Sequence, residues 1–217
     1  ARLLGQGRRE EATRTIRIGL RYGLMLLVPA TLFISLTARS LMILLYSKAF
    51  RGAGSPLAIL IWAQSFYGFF TVLTALLTAE GKPGHAMALA LGMLPISVVL
   101  NVLLVPRYGL AGAACATTIA TLFGLVASLR MVVRDFGAIV SRRSLLAIVI
   151  AALASGALAL WWHPGPLWLL PAYVALWGAD LLLLALLGEV KRTDIQRFEA
   201  LAGRFLRLAR QSRGATL

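Results

Sequence analysis

Six long apolar stretches run through this chain, at Tyr22 to Tyr46, Leu57 to Ala79, Ala86 to Val105, Leu110 to Val133, Leu145 to Trp162 and Leu167 to Leu187. Crossing the hydrocarbon core of a bilayer takes about 20 mostly apolar residues per helix. The pattern therefore predicts six transmembrane helices. Strands of a membrane barrel would instead alternate apolar and polar residues over about 10 positions, and these runs are continuous. The expected fold class is all-α, a polytopic membrane helix bundle.

The polar punctuation refines this picture. "RREEATRTIRIGLR" at residues 8–21 is charged and helix-compatible, and it leads into the first span as a helical extension. Pro29 removes a backbone donor inside that span, so it is either a kink that could act as a hinge or a proline satisfied by its neighbours. "TARS" at Thr37 to Ser40 predicts a helix break, resumed as a short interfacial turn. "SKAFRGAGSP" at Ser47 to Pro56 reads as a loop, and Glu80-Gly81-Lys82-Pro83-Gly84 as a tight turn. Pro95 interrupts the third span, and Pro106-Arg107-Tyr108-Gly109 predicts the turn into the fourth. In the fourth span Gly112, Ala116, Ala120, Gly124 and Ser128 recur every four residues, with Ala113 and Thr117 widening the same face. Small residues in that register let another helix approach closely.

Trp161, Trp162 and Trp168 bracket "HPGP" at His163 to Pro166, an outer hairpin suited to the membrane interface. The tail places Ile195, Phe198, Leu201 and Phe205 on one helical face and Arg197, Arg204 and Arg207 towards the other. It reads as a basic amphipathic helix on anionic lipid, or as a solvated helix against another part of the chain. Three regions follow: residues 1–21, a helical extension whose start reads as a cut; 22–188, the membrane domain; and 189–217, the basic tail.

Composition supports a bilayer setting, with 59% hydrophobic and 14% charged residues and a mean hydropathy of +0.83. The net charge of +14 would point to nucleic acid if it covered one soluble face. Instead, 18 of the 22 Lys and Arg fall in the N-terminal segment, the second and fourth connections and the tail, leaving Arg39, Lys48, Arg51 and Arg107 for the other side. The positive-inside rule then puts both termini in the cytoplasm, as an even number of spans requires. No nucleic-acid partner is expected. Cys115 is the only cysteine, so no intrachain disulfide or thiolate metal site is expected.

Catalytic chemistry has little material. Glu10, Glu11, Glu80, Asp135, Glu189, Asp194 and Glu199 sit at cytoplasmic edges among arginines, and His85 and His163 fall on opposite sides of the membrane. "GQGRRE" lacks the third glycine and preceding strand of a dinucleotide loop, and no phosphate-loop lysine motif occurs. No catalytic residue, metal site or cofactor is expected. Asp180 is the one acid well inside a span, where ionisable groups are costly. It is a candidate proton or cation relay, or a protonated acid bonded to a neighbouring helix. Arg39 could meet a lipid headgroup by snorkelling or a diphosphate inside a cavity.

"LLYSKAFRGAGSPLAIL", "LLTAEGKPG" and "NVLLVPRYGLAGAACATTIA", in this order and spacing, resemble the C-terminal half of the polysaccharide-export and O-antigen flippases of the multidrug/oligosaccharidyl-lipid/polysaccharide superfamily. Phe50, Gly81, Asn101, Pro106, Gly109, Gly112 and Ala116 are among the matching positions, and the resemblance covers roughly Arg14 to Asp135. It implies a two-lobed fold that rocks between inward-open and outward-open states. This chain would supply four helices of the second lobe plus the two additional helices of the fourteen-helix members, and the first, N-terminal lobe and two more helices, about eight spans, would precede Ala1. The implied activity is transfer of a polyprenyl-diphosphate-linked oligosaccharide to the outer leaflet of a bacterial cytoplasmic membrane. Membrane lipids, that lipid-linked substrate and the missing lobe are the implied partners. Arg39, Gln64 and Asn101 are the cavity residues this chain offers.

Three rivals remain at this level. A cation-coupled multidrug exporter of the same superfamily would carry a cluster of acids in the first lobe. A lipid II flippase would carry an outer-loop pattern that is not evident here. A membrane-embedded glycosyltransferase or ligase would need acidic or histidine groups on a sizeable outer loop, and the longest outer connection carries only Lys48 and Arg51.

Overall fold

A computed structural model of the chain describes residues 9–137, 142–162 and 169–186. Helix α1 spans Arg9–Leu45, a 3-10 turn Lys48–Ala53, α2 Gly54–Ala79, α3 Pro83–Phe136, α4 Arg142–Trp162 and α5 Leu169–Leu186. There is no strand among the described residues. The hairpin read at His163 to Pro166 and the tail from residue 189 lie outside the described residues.

Helix α3 holds 54 residues and would be about 80 Å long if straight, far more than the roughly 30 Å hydrocarbon core. It is not straight. Gly109, with φ 57° and ψ −133°, is the one residue in it with non-helical backbone angles. Beyond it the helix doubles back on itself. Leu104 backs onto Gly112, Met93 onto Gly124, and Lys82 onto Asp135, so moving down one arm matches moving down the other. Residues 83–108 and 110–136 are thus two antiparallel spans.

Three expectations about breaks need correction, the first being that Pro95 interrupts the third span: it lies within α3, where Gly109 is the residue with non-helical backbone angles. The turn read over Pro106 to Gly109 shrinks to a single residue, with Pro106, Arg107 and Tyr108 still helical. Glycine alone accepts the positive φ at no steric cost, so nothing else has to leave the helix. The break read at Thr37 to Ser40 does not occur either, and α1 continues to Leu45. Thr37 bonds both the Phe33 carbonyl (2.7 Å) and the Tyr173 hydroxyl (2.6 Å), so its hydroxyl is satisfied inside the helix. Ala38 is buried, and α2 starts against the Arg39 backbone, where a Cβ on Gly54 would lie 2.7 Å from Arg39 Cα. The irregular turn comes later, at Lys48–Ala53.

Among the described residues three helices are long and apolar enough to cross a membrane: Ile18–Leu45, Lys48–Ala79 and Pro83–Asp135, the last containing both arms of the hairpin. Ser144–Leu160 and Pro171–Leu186 are shorter apolar helices. The six spans of the sequence reading correspond to these five helices, with the third counted twice.

Packing follows from side-chain size. Gly112, Ala116, Ala120, Gly124 and Ser128 are all buried on the second arm. Leu20 of α1, Phe69, Leu73 and Leu77 of α2, and Val132 of the second arm form one core cluster. A second cluster joins Met25, Ile148, Ala151 and Leu184, and a third joins Phe33, Ala159 and Leu176. Between helices in lipid, close packing and hydrogen bonds replace the hydrophobic drive. By contrast the first arm of α3 leaves Leu94, Val98 and Val102 exposed, as a surface that faces lipid or protein requires.

Helix α2 separates Lys48 from Lys82, so the two amines belong to opposite ends of the bundle. An impermeant amine reagent applied to one side of sealed vesicles is expected to modify only one of them. Equal labelling of both from the same side contradicts this arrangement.

Candidate functional site

A groove opens where α2 lies beside the α3 hairpin. It encloses about 450 Å³, and its polar lining consists of Gln64, Tyr67, Ser97, Thr117 and Thr121. That volume is within the range of small-molecule sites. Each polar residue arrives there for a local reason. Gln64 is one residue from buried Ala63 and Ser65, so it points to the open side of α2. Thr117 and Thr121 flank the small-residue face of the second arm, and their hydroxyls return to carbonyls of their own helix at 3.0 Å and 2.9 Å. Such back-bonding lets a hydroxyl sit in a membrane helix without a partner from elsewhere.

Of the residues singled out by sequence, Gln64 lines the groove directly. Asn101 meets it through Ser97: its amide nitrogen donates to the Ser97 carbonyl at 2.8 Å and lies 3.4 Å from the Ser97 hydroxyl. Arg39 is exposed near the start of α2 and is not a lining residue. Asp180 is buried at the contact of α4 and α5 and is not a lining residue either. The three cavity residues therefore do not form a single cluster. Among the described lining residues there is no charge, so the groove suits hydroxyl and amide groups better than a bare diphosphate.

Several polar contacts between helices were not singled out from sequence. Thr31 and Ser65 hydroxyls bond each other across α1 and α2. The Ser35 hydroxyl donates to the Ala58 carbonyl at 2.8 Å and accepts from the Trp62 indole at 3.3 Å. Thr118 donates to the Ile59 carbonyl at 3.2 Å, linking α2 to the second arm. The spacing of Thr31 and Ser35, one helical turn apart, is the signal that could have found the first two.

At one mouth of the bundle, Lys82 sits 2.9 Å from Asp135 and 3.6 Å from Glu80. Its hydrogen bond to Asp135 raises Lys82 above the ordinary 10.5, and the same bond holds Asp135 below the ordinary 3.8. Asp135 stabilises the fold above pH 3.8 and loses that contribution as pH falls through its lowered value. Lys82 contributes fully below pH 10.5 and loses it as pH rises through its raised value. The stability difference between wild type and Lys82→Met should therefore stay constant around neutral pH and shrink at both extremes. Because the pair is open to solvent, high salt should also reduce it. Thermal unfolding in detergent at several pH values checks both statements.

No group of three or more His, Cys, Asp or Glu suited to a metal ion occurs among the described residues. The sequence model of the family described as Lipid II flippase MurJ matches residues 1–176. No curated protein matches the chain.

Proposed function

The chain belongs to the lipid II flippase MurJ family, and from this premise we propose that it carries a lipid-linked peptidoglycan precursor across the cytoplasmic membrane by alternating access. The match to 176 of its 217 residues is the observation that carries the proposal. The family is a flippase family, so the role is transport, with no chemical step on the cargo.

Family and motif reading meet at the superfamily and differ in cargo. The motif residues that resemble polysaccharide-export flippases include Gly109, Gly112 and Ala116, which build the turn and the close packing of the α3 hairpin. Such residues specify a fold and carry little information about the transported molecule. The lipid II reading, set against the missing outer-loop pattern, takes its support from the family match instead.

The groove fits one part of such a cargo. Gln64, Ser97 and Thr117 offer amide and hydroxyl groups matched to sugar or peptide polar groups. Arg39, exposed near the start of α2, is a separate cation for the diphosphate. On this reading headgroup and diphosphate are held by different parts of the chain, while the polyprenyl tail stays in lipid.

Depletion of the full-length protein is expected to leave lipid II in the inner leaflet, and re-expression of wild type to restore its transfer. Unchanged lipid II transfer, with build-up of a polysaccharide precursor instead, would reassign the cargo. Unchanged transfer of both would remove the flippase role.

A further inference from the structure

Three layers of side chains stack where α1, α4 and α5 meet. One outer layer joins Met25, Ala151 and Leu184, and the other joins Phe33, Ala159 and Leu176. Midway between them, four residues from each neighbour on every helix, stand Pro29, Ser155 and Asp180. All three side chains are less than 2% exposed. A polar layer is thus closed on both sides by apolar ones.

The protons in that layer can be counted. The Ser155 hydroxyl lies 2.9 Å from the Ala151 carbonyl, 3.1 Å from the Ala152 carbonyl and 3.2 Å from Asp180 Oδ1. It has one proton for three acceptors, and the shortest contact directs it along its own helix. The side-chain partner of Asp180 is Ser155, and no charged group acts on it among the described residues. The titratable groups packed against the flanking layers are Tyr22 on the α1 side and Tyr173 on α5, the latter bonded to Thr37. Among the described residues nothing there balances a negative charge, and an unbalanced carboxylate in a membrane interior is costly. On α1, Pro29 has no N–H, so the Met25 carbonyl one turn earlier lacks its helical donor. The layer combines an acid whose Ser155 donor is shared with two backbone carbonyls and a carbonyl short of its helical donor.

We propose that Asp180 is a proton-binding site whose neutral carboxyl donates to the Met25 carbonyl left open by Pro29, so that the bound proton holds α4 and α5 against α1. Release breaks the O–H bond, sends the proton to water and leaves a carboxylate that this layer cannot solvate. Helix α5 must then shift to hydrate it. Proton occupancy and helix packing are linked in this way whatever the cargo, so the inference stands apart from the choice of lipid II.

Infrared spectroscopy of the full chain in lipid vesicles tests it. At neutral pH the wild type should show the C=O stretch of a protonated carboxyl, sensitive to D2O exchange and lost in Asp180→Asn. Pro29→Ala gives the Met25 carbonyl a helical N–H as a second donor and should move that band to higher wavenumber, because the acid's own hydrogen bond to a shared acceptor weakens. Absence of the band in wild type, or no movement in Pro29→Ala, overturns the proposal. Should Asp180→Asn fail to accumulate, dicyclohexylcarbodiimide labelling of the wild type gives the same decision. Adduct at Asp180 at neutral pH, falling as pH rises, supports a protonated acid, and absence of the adduct overturns it.

Discussion

Gly112→Ala is expected to destabilise the bundle by about 1–3 kcal/mol, the usual range for an added methyl group in a packed site. A Cβ at that position would overlap the carbonyl oxygen of Leu104 and lie 3.1 Å from the Val105 nitrogen. Both are backbone atoms of the opposing arm. They move only if the two arms separate near the Gly109 turn, which exposes the second arm's buried small residues. Gly124→Ala, in the same stripe, is the control. Its Cβ would overlap the Met93 sulfur, at the end of an adaptable side chain that can swing aside. Unfolding midpoints in detergent should therefore fall clearly for Gly112→Ala and little for Gly124→Ala. Equal losses would mean that the stripe tolerates no side chain anywhere and that the backbone contact is not the deciding feature.

Leu77→Ala should lower stability by roughly 2 kcal/mol, at the low end of the range for buried leucines. Leu77 is 0% exposed and packs in the cluster that joins α1, α2 and the second arm. In a soluble core the loss combines transfer from water with the cavity left behind. In a bilayer the unfolded helices already sit in hydrocarbon, so the transfer part fades and the cavity part remains. Leu103, 57% exposed on the first arm, makes the comparison: Leu103→Ala should stay within about 0.5 kcal/mol of wild type. If the two variants lost the same amount, packing against Leu20, Leu73 and Val132 would not be what holds these helices together.

Hydropathy made the helices legible because each apolar run is long and the turns between them carry glycine, proline or charge. Residue patterns were less informative about where a helix stops. Pro106 looks like a terminator, yet Gly109 alone makes the reversal. "TARS" looks like a loop, yet Thr37 closes its hydrogen bonds within α1 and onto Tyr173. In both cases the deciding fact is how a polar group is satisfied, and a hydropathy profile does not contain it. The groove shows the same limit. Gln64 stands out as an amide in an apolar run, whereas Ser97, Thr117 and Thr121 resemble ordinary packing residues because their type fits both roles. That Arg39 and Gln64 are not brought together depends on how α1 crosses α2, which a one-dimensional pattern does not encode.

The hairpin of α3 is fastened at both extremities, covalently through Gly109 and ionically through Lys82 and Asp135. Its arms are also in backbone contact at Gly112. Such a rod is expected to tilt in one piece, its arms held by the Gly112 contact more than by the solvent-open ion pair. A swing of α2, pivoting on the Lys48–Ala53 turn and on Gly81, whose φ is 82°, is then the expected way for the volume beside it to change. Such a swing has to break the Thr118 bond to the Ile59 carbonyl, which ties α2 to the second arm.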